Sequence, residues 1–145
     1  MSAFRSSRRV EFRDTDAAGI MHFSVFFAMM EEAEHELLRK LGLSVLTADE
    51  QGRVSWPRVS ARCDYRRAVK FEDTVDIHTT IARLGTKSVT YAFRFTSEDE
   101  TVAEGEMVAV CCRLSDGAPP RSIEIPAWMA DKLRPALASP AQPGR

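Results

Sequence analysis

The 145-residue sequence predicts an α+β fold in which one antiparallel sheet curls around one long helix. Three observations predict it. Phe23, Phe27, Met30, Leu37 and Leu41 recur at a helical spacing, with Glu34 as the exception in the stripe. Four later segments alternate apolar and polar residues, as strands with one buried face do. Short turn sequences separate those segments, so hairpins rather than crossovers join them.

The elements follow in order. A short strand is expected around Arg9 to Arg13, followed by a loop rich in Asp and Gly. Ser24 is an N-cap type of residue for the helix, and Gly42 supplies its stop. Apolar groups surround much of the helix's first half, Phe23 to Met30, whereas Glu31, Glu32, Glu36, Arg39 and Lys40 make its second half more polar. Such a helix is enclosed at one end and solvated at the other. After a connecting stretch, Val59, Ala61, Cys63 and Tyr65 alternate with polar partners, and so do Val75, Ile77, Thr79 and Ile81. Val89, Tyr91, Phe93 and Phe95 give the clearest alternation. Val102 to Arg113 becomes apolar on both faces, which suits a central strand. Gly85-Thr86 and Glu98-Asp99-Glu100 are then the turns of an antiparallel meander. Ile125-Pro126 opens a short amphipathic helix, with Pro126 at a permitted first-turn position. Residues 1–138 form one domain, and the tail 139–145, built of Ser, Pro, Ala, Gln, Gly and Arg, is expected to be disordered.

Apolar residues at 44% and charged residues at 28% describe a soluble globular protein. The formal charge of −1 excludes a global pull toward nucleic acid or anionic membrane, so any basic site must be local. No apolar run approaches the ~20 residues that cross a bilayer. Met1 to Arg9 has basic residues but no following apolar core, which argues against a signal peptide and for the cytoplasm. Cys63, Cys111 and Cys112 form no CxxC pair, and their odd number argues against a disulfide framework. They read as small buried apolar residues.

The segment from Glu11 to Phe23 holds the chemistry. Asp14, Asp16, Gly19 and His22 lie between a strand end and a helix start, where loops held by rigid elements carry catalytic groups. Asp-rich loops also cap helices and make turns, so composition leaves both readings open. The case for catalysis is geometric. A helix N-terminus offers unpaired N–H groups and the positive end of the dipole. A carbonyl placed there is stabilised as its oxygen becomes negative, and a carboxylate held nearby can attack it or activate a water.

The histidines point away from a metal. His35-Glu36-Leu37-Leu38-Arg39 narrowly misses HExxH, and without the second His the zinc reading falls. His35 follows Glu31 by four residues, an ordinary helix-surface pair, and His78 stands alone in a strand. No metal or cofactor is expected.

The stretch from Val10 to about Gly42 resembles the signature of the 4-hydroxybenzoyl-CoA thioesterase-like hot-dog family. The shared features are the Asp-x-Asp-x-x-Gly loop at Asp14 to Gly19, the His22-Phe23 pair and a long helix with acids near its middle. The likeness continues more weakly through Cys63-Asp64-Tyr65, Phe71-Glu72-Asp73 and Gly85-Thr86-Lys87-Ser88. It implies a hot-dog fold and hydrolysis of an acyl-CoA thioester. Asp16 is the implied catalytic carboxylate, the backbone N–H of Phe23 the group that polarises the carbonyl, and Asp14 a structural acid. Thiolate leaves readily, so one Asp and one helix terminus are chemically enough. Some relatives carry a His where this chain has Phe23, whereas here it stands one residue earlier, a turn of ~100° at a helix start. The family's histidine role is therefore not carried over; His22 is kept as a residue that makes a structural polar contact, or else touches substrate or bonds Asp16.

Coenzyme A needs local positive charge for its phosphates. Arg62, Arg66, Arg67 and Lys70 form one basic cluster, and Arg83 with Lys87 another. The resemblance places a Lys/Arg-Ser turn at the nucleotide end, which selects Lys87 and Ser88. Phe23, Phe26, Phe27, Met30 and Trp56 are candidates to line the acyl pocket, or are simple core. Among Glu31, Glu32, Glu34 and Glu36, most make a solvated face, and Glu31 or Glu32 is the competitor to Asp16. The family implies a homodimer or homotetramer with each site built from two chains. Two other classes stay open: a hot-dog hydratase or dehydratase acting on an enoyl- or hydroxyacyl-CoA, and a non-hydrolytic acyl-CoA or acyl-carrier binding protein.

Overall fold

The computed structural model describes residues 3–139, so residues 140–145 of the expected tail lie outside the described residues. Strand β1 (Phe4–Arg9) leads to a 3-10 turn (Phe12–Asp14) and then to the long helix α1 (Val25–Lys40). Two short strands follow, β2 (Thr47–Asp49) and β3 (Gly52–Ser55). The long strands are β4 (Arg58–Tyr65), β5 (Thr74–Leu84), β6 (Ser88–Ser97) and β7 (Glu100–Val110). Strands β8 (Cys112–Ser115) and β9 (Ala118–Ser122) precede a short helix α2 (Ala127–Leu133).

Five strands make one antiparallel sheet in the order β1-β5-β6-β7-β4. Its inner face meets α1, as the sequence predicts. Ile77, Ile81, Val89, Tyr91, Phe93 and Phe95 are buried there against Phe26, Met30, Ala33 and Leu37. Burying a side chain the size of Phe95 or Met30 contributes about 1.5–3 kcal/mol. Gly105 leaves room for the end of the Met30 side chain, which a Cβ there would displace. The β6–β7 hairpin turns on Glu98 (φ 51°) and Asp99 (φ 64°), the pair of positive angles that a two-residue primed turn needs.

Several expectations are corrected. The first strand lies at Phe4–Arg9 rather than Arg9 to Arg13, because Phe-Arg-Ser-Ser-Arg-Arg carries almost no apolar signal, whereas Phe12, 77% exposed, misled. Strand β4 does not lie beside β5 in a meander but pairs with β7 at the far edge of the sheet. The stretch Val102 to Arg113 breaks at Cys111, and β8 leaves for a second four-stranded sheet, β2-β3-β8-β9. The buried stripe of α1 runs its whole length, from Phe26 to Leu38, and it includes Glu34, 1% exposed. Cys111 and Cys112 are buried as expected, but Cys63 on the edge strand is only half-buried.

The helix ends agree in place more than in chemistry. Ser24 occupies the N-cap position without a capping hydrogen bond from its side chain. Gly42, at φ +78°, closes the C-terminus: its N–H donates to Arg39 O (3.1 Å), and the Leu43 N–H donates to Leu38 O (2.7 Å). That is the Schellman arrangement. Pro126 precedes α2 as its N-cap rather than sitting inside the first turn. No helix among the described residues is long and apolar enough to cross a membrane.

Candidate active site

The Asp-rich loop is a tightly pinned turn. The Asp14 carboxylate accepts the Glu11 N–H at 2.8 Å, and its carbonyl accepts the His22 N–H at 2.8 Å. Both are structural duties. Asp16 is held by its backbone, whose N–H donates to Ile20 O and whose carbonyl accepts the Gly19 N–H, each at 2.9 Å. Gly19 turns there with φ +79°, a conformation that glycine adopts without cost. Asp16 Oδ1 accepts the Ala18 N–H at 2.8 Å, while Oδ2 has no hydrogen bond among the described residues. A single short bond aims the carboxylate and leaves one oxygen for chemistry. The Met21 N–H donates to Val69 O (2.7 Å), which ties the loop to the chain that leaves β4.

Asp16, Phe23 and Phe26 line a cleft of about 360 Å³ together with Ile20, Met21 and the stretch Tyr65 to Val69. The cleft opens at the start of α1, where the dipole is positive. The Phe23 N–H makes no hydrogen bond among the described residues, whereas its carbonyl accepts the Tyr65 hydroxyl at 2.8 Å. Phe26 meets Tyr65 edge-on (centroids 5.1 Å) and Phe95 likewise (5.2 Å), which fixes one aromatic wall. Asp16, Phe23 with its unengaged backbone N–H, and an aromatic wall thus meet at one concave surface. Such a site can activate a carbonyl electrophilically and attack it.

His22 does not join Asp16. Its Nδ1 lies 2.7 Å from Ser24 Oγ and accepts the Ser24 N–H at 3.2 Å, so the ring serves the helix start. The pocket candidates divide. Phe26 reaches the cleft; Phe27 packs against the core, Met30 is wholly buried under the sheet, and Trp56 lines a separate apolar depression near Val45 and Leu46.

The basic cluster is largely neutralised by neighbouring acids, across the sheet and along the chain. Arg66 faces Glu104 (3.5 Å), Arg67 pairs with Glu100, Arg62 with Asp64 and Glu106, and Lys70 lies 3.9 Å from Asp73. Arg66 and Arg67 still line the cleft. Lys87 and Ser88 do not. They form the β5–β6 turn, where Ser88 pairs with Val110, whereas Tyr65 at the cleft pairs with Ala103. Those positions lie roughly 23 Å apart along β7 at ~3.3 Å per residue.

The helix acids are engaged elsewhere. Glu32 and Glu36 hold Arg8 at 3.2 and 3.1 Å. Buried Glu34 pairs with Arg58 from β4, and Glu31 stands 4.0 Å from the same guanidinium. Burial pushes the Glu34 carboxyl above the ordinary glutamate value despite the attraction of Arg58. His35 is not the surface partner of Glu31: its Nε2 is buried without a hydrogen bond, and burial lowers its proton affinity. A larger depression of about 720 Å³ lies between the small sheet and α2, but its buried Arg113 is consumed by Asp49 (2.6 and 3.1 Å) and Gly52 O (2.9 Å). That guanidinium holds the Asp49 carboxyl below the usual range. No cluster of three or more His, Cys, Asp or Glu side chains suited to a metal ion occurs among the described residues.

Comparison with known proteins bears on what this site does. The pattern of the Thioesterase-like superfamily matches residues 10–133. A 1,4-dihydroxy-2-naphthoyl-CoA hydrolase of Synechococcus sp. (strain WH7803) is 33% identical over 111 residues, 72% of either chain. A gentisyl-coenzyme A thioesterase of known structure superposes with a TM-score of 0.75 at 29% identity, over 93% of this chain and 100% of that one. A crystal structure from Thermus thermophilus shares the fold, with a TM-score of 0.81 at 24% identity over 94% and 99% of the two chains.

Proposed function

The chain belongs to the thioesterase-like superfamily and is a thioester hydrolase; from that premise we propose that it cleaves an acyl-CoA to a carboxylic acid and CoA, with Asp16 as the reacting carboxylate. One observation carries the reading. Asp16, with one oxygen unengaged, and Phe23, whose N–H has no partner among the described residues, line the same cleft at the positive end of α1. The thioester carbonyl lies against the Phe23 N–H, which takes up charge as the oxygen becomes negative. Asp16 Oδ2 attacks the carbonyl carbon, or takes a proton from a water that does; either way the C–S bond breaks and CoA leaves as thiolate, and in the first case a water then hydrolyses the Asp16 anhydride to release the acid and restore the carboxylate. The names of the relatives, a dihydroxynaphthoyl-CoA hydrolase and a gentisyl-CoA thioesterase, and the wall of Phe23, Phe26 and Tyr65 support an aromatic acyl group. Work in the cytoplasm is part of the same proposal.

The position of Lys87 argues for a dimer. Strand β4 is an edge, exposed along most of its length with Val59 63% exposed, and such edges invite pairing. Its Arg58 end is level with the Lys87 turn and its Tyr65 end with the cleft. Antiparallel pairing of β4 with a second copy about a two-fold axis reverses those ends. It brings the Lys87-Ser88 turn of the partner subunit toward this chain's cleft, where a CoA phosphate would meet it.

The test is release of free thiol from a panel of benzoyl-, phenylacetyl-, hexanoyl- and decanoyl-CoA, each with and without purified protein. Thiol release at a rate proportional to enzyme supports the reading. Consumption of an enoyl-CoA without thiol release would replace it with hydration, and tight CoA binding without turnover would replace it with a binding protein.

A further inference from the structure

We propose that Tyr65 is a positioning residue, one that holds the Phe23 peptide in the orientation that presents its N–H to the thioester carbonyl; this rests on the reading given above. Phe23 lies in the one-turn lead into α1; its N–H lies in the peptide plane before its Cα and its carbonyl in the plane after it, so a bond to the carbonyl acts on the N–H by fixing the Cα on which the two planes hinge. The plane before it is pinned inside the turn, where His22 O accepts the Val25 N–H at 3.0 Å. The plane after it is pinned at both ends: the Ser24 N–H donates to His22 Nδ1 at 3.2 Å, and Phe23 O accepts the Tyr65 hydroxyl at 2.8 Å. The His22 contacts are local and move with the turn. The Tyr65 bond comes from the end of β4, forty-two residues away in sequence, and so ties the Phe23 peptide to the rigid sheet.

The rest of the side chain suits that duty. Its ring is braced edge-on by Phe26, itself braced by Phe95, so the hydroxyl is carried on a fixed aromatic stack. Burial and the neighbouring Cys63 thiol push the hydroxyl up to about 12, so it remains a donor throughout the neutral range. Tyr65 also lines the cleft. Geometry held only within about half an ångström separates a working oxyanion donor from an idle one.

Tyr65→Phe removes the oxygen and keeps the ring, so the aromatic contact with Phe26 survives. For the best-hydrolysed ester of the panel, kcat falls about tenfold, equivalent to about 1.4 kcal/mol, while KM stays within twofold. A spectroscopic reading accompanies it. In an Asp16→Asn background, which holds the ester uncleaved, the bound thioester carbonyl stretch lies below its value in water; adding Tyr65→Phe moves it back toward that value. The band reports only on folded, ligand-bound protein, so it stands even if the single variant is less stable. An unchanged kcat, a rise in KM equal to the fall in kcat, or an unmoved band overturns the role of Tyr65. A fully active Asp16→Asn, or a panel with no thiol released by wild type, instead overturns the underlying reading.

Discussion

Asp16 and Glu34 are two carboxylates near one helix, and they have opposite surroundings. Asp16 precedes α1, is half-buried in a cleft, keeps one oxygen free and accepts one backbone N–H. Glu34 sits in the middle of α1 beneath the sheet, 1% exposed, and is paired with Arg58. The difference teaches that an acid's chemistry follows from access and from what occupies its oxygens. An acid sealed against a guanidinium holds structure; one aimed by a single short bond beside an empty backbone donor is available to react.

The sharpest way to break that comparison is to remove Glu34. Glu34→Ala strands Arg58 in a partly buried site, and its Nη1 is already without a partner. The expected loss is about 3 kcal/mol, the low end for a broken buried pair because Arg58 can turn to Glu31. In a chain of this size that lowers Tm by roughly 10 °C, while kcat of the folded protein is kept. A large loss of kcat at unchanged Tm would instead make Glu34 a participant in the reaction.

A pH series sharpens the same point. Burial holds the folded-state value of Glu34 above the unfolded value of 4.5, although Arg58 opposes it, Glu31 adds to it and Tyr91 lies close by. Between the two values the folded chain therefore keeps a proton that the unfolded chain has released. This contribution to stability is full below pH 4.5 and is lost as pH rises through the folded-state value. The stability of wild type relative to Glu34→Gln should accordingly shrink from pH 4.5 toward neutrality in urea titrations. A difference that is flat or grows would show that the pair favours the ionised acid.

Smaller effects bound the comparison from the other side. Asp14→Ala removes an acceptor from the Glu11 N–H and should cost about 1 kcal/mol of stability; kcat follows only through a loosened loop. A loss of kcat as deep as that of an Asp16 variant would erase the distinction between the two loop acids. Lys87→Ala should raise KM for CoA esters about threefold and leave KM for short thioesters without the nucleotide unchanged. Equal effects on both would remove Lys87 from the CoA site and, with it, the argument from the β4 edge.

How much of this was legible in the sequence depended on the range of the interaction. The long strands were visible because Val89, Tyr91, Phe93 and Phe95 alternate, and the Schellman end because Gly42 announces it. The second sheet was not, since β2, β3, β8 and β9 are three to five residues long and β9 reads Ala-Pro-Pro-Arg-Ser. The place of β4 was missed because the assumption that successive strands pair fails when a chain returns to the far edge. Asp16 was singled out by its loop and by family likeness. Glu34 looked like one acid in a solvated row because Arg58, the residue that explains its burial, stands twenty-four positions later. Tyr65 stands in the sequence as the end of an alternating strand and in a weakly matching Cys63-Asp64-Tyr65 segment; its hydroxyl bond to Phe23 O is a tertiary fact.

The central claim is that Asp16 is the reacting carboxylate, and Asp16→Asn tests it most directly because Asn keeps the side-chain oxygen that accepts the Ala18 N–H. Thiol release and acyl-CoA affinity should be measured on the same preparation. The account predicts a fall in kcat of about 10³-fold or more, roughly 4 kcal/mol of barrier, with Tm unchanged and the ester still bound. An Asp16→Asn protein that releases thiol as fast as wild type would contradict it.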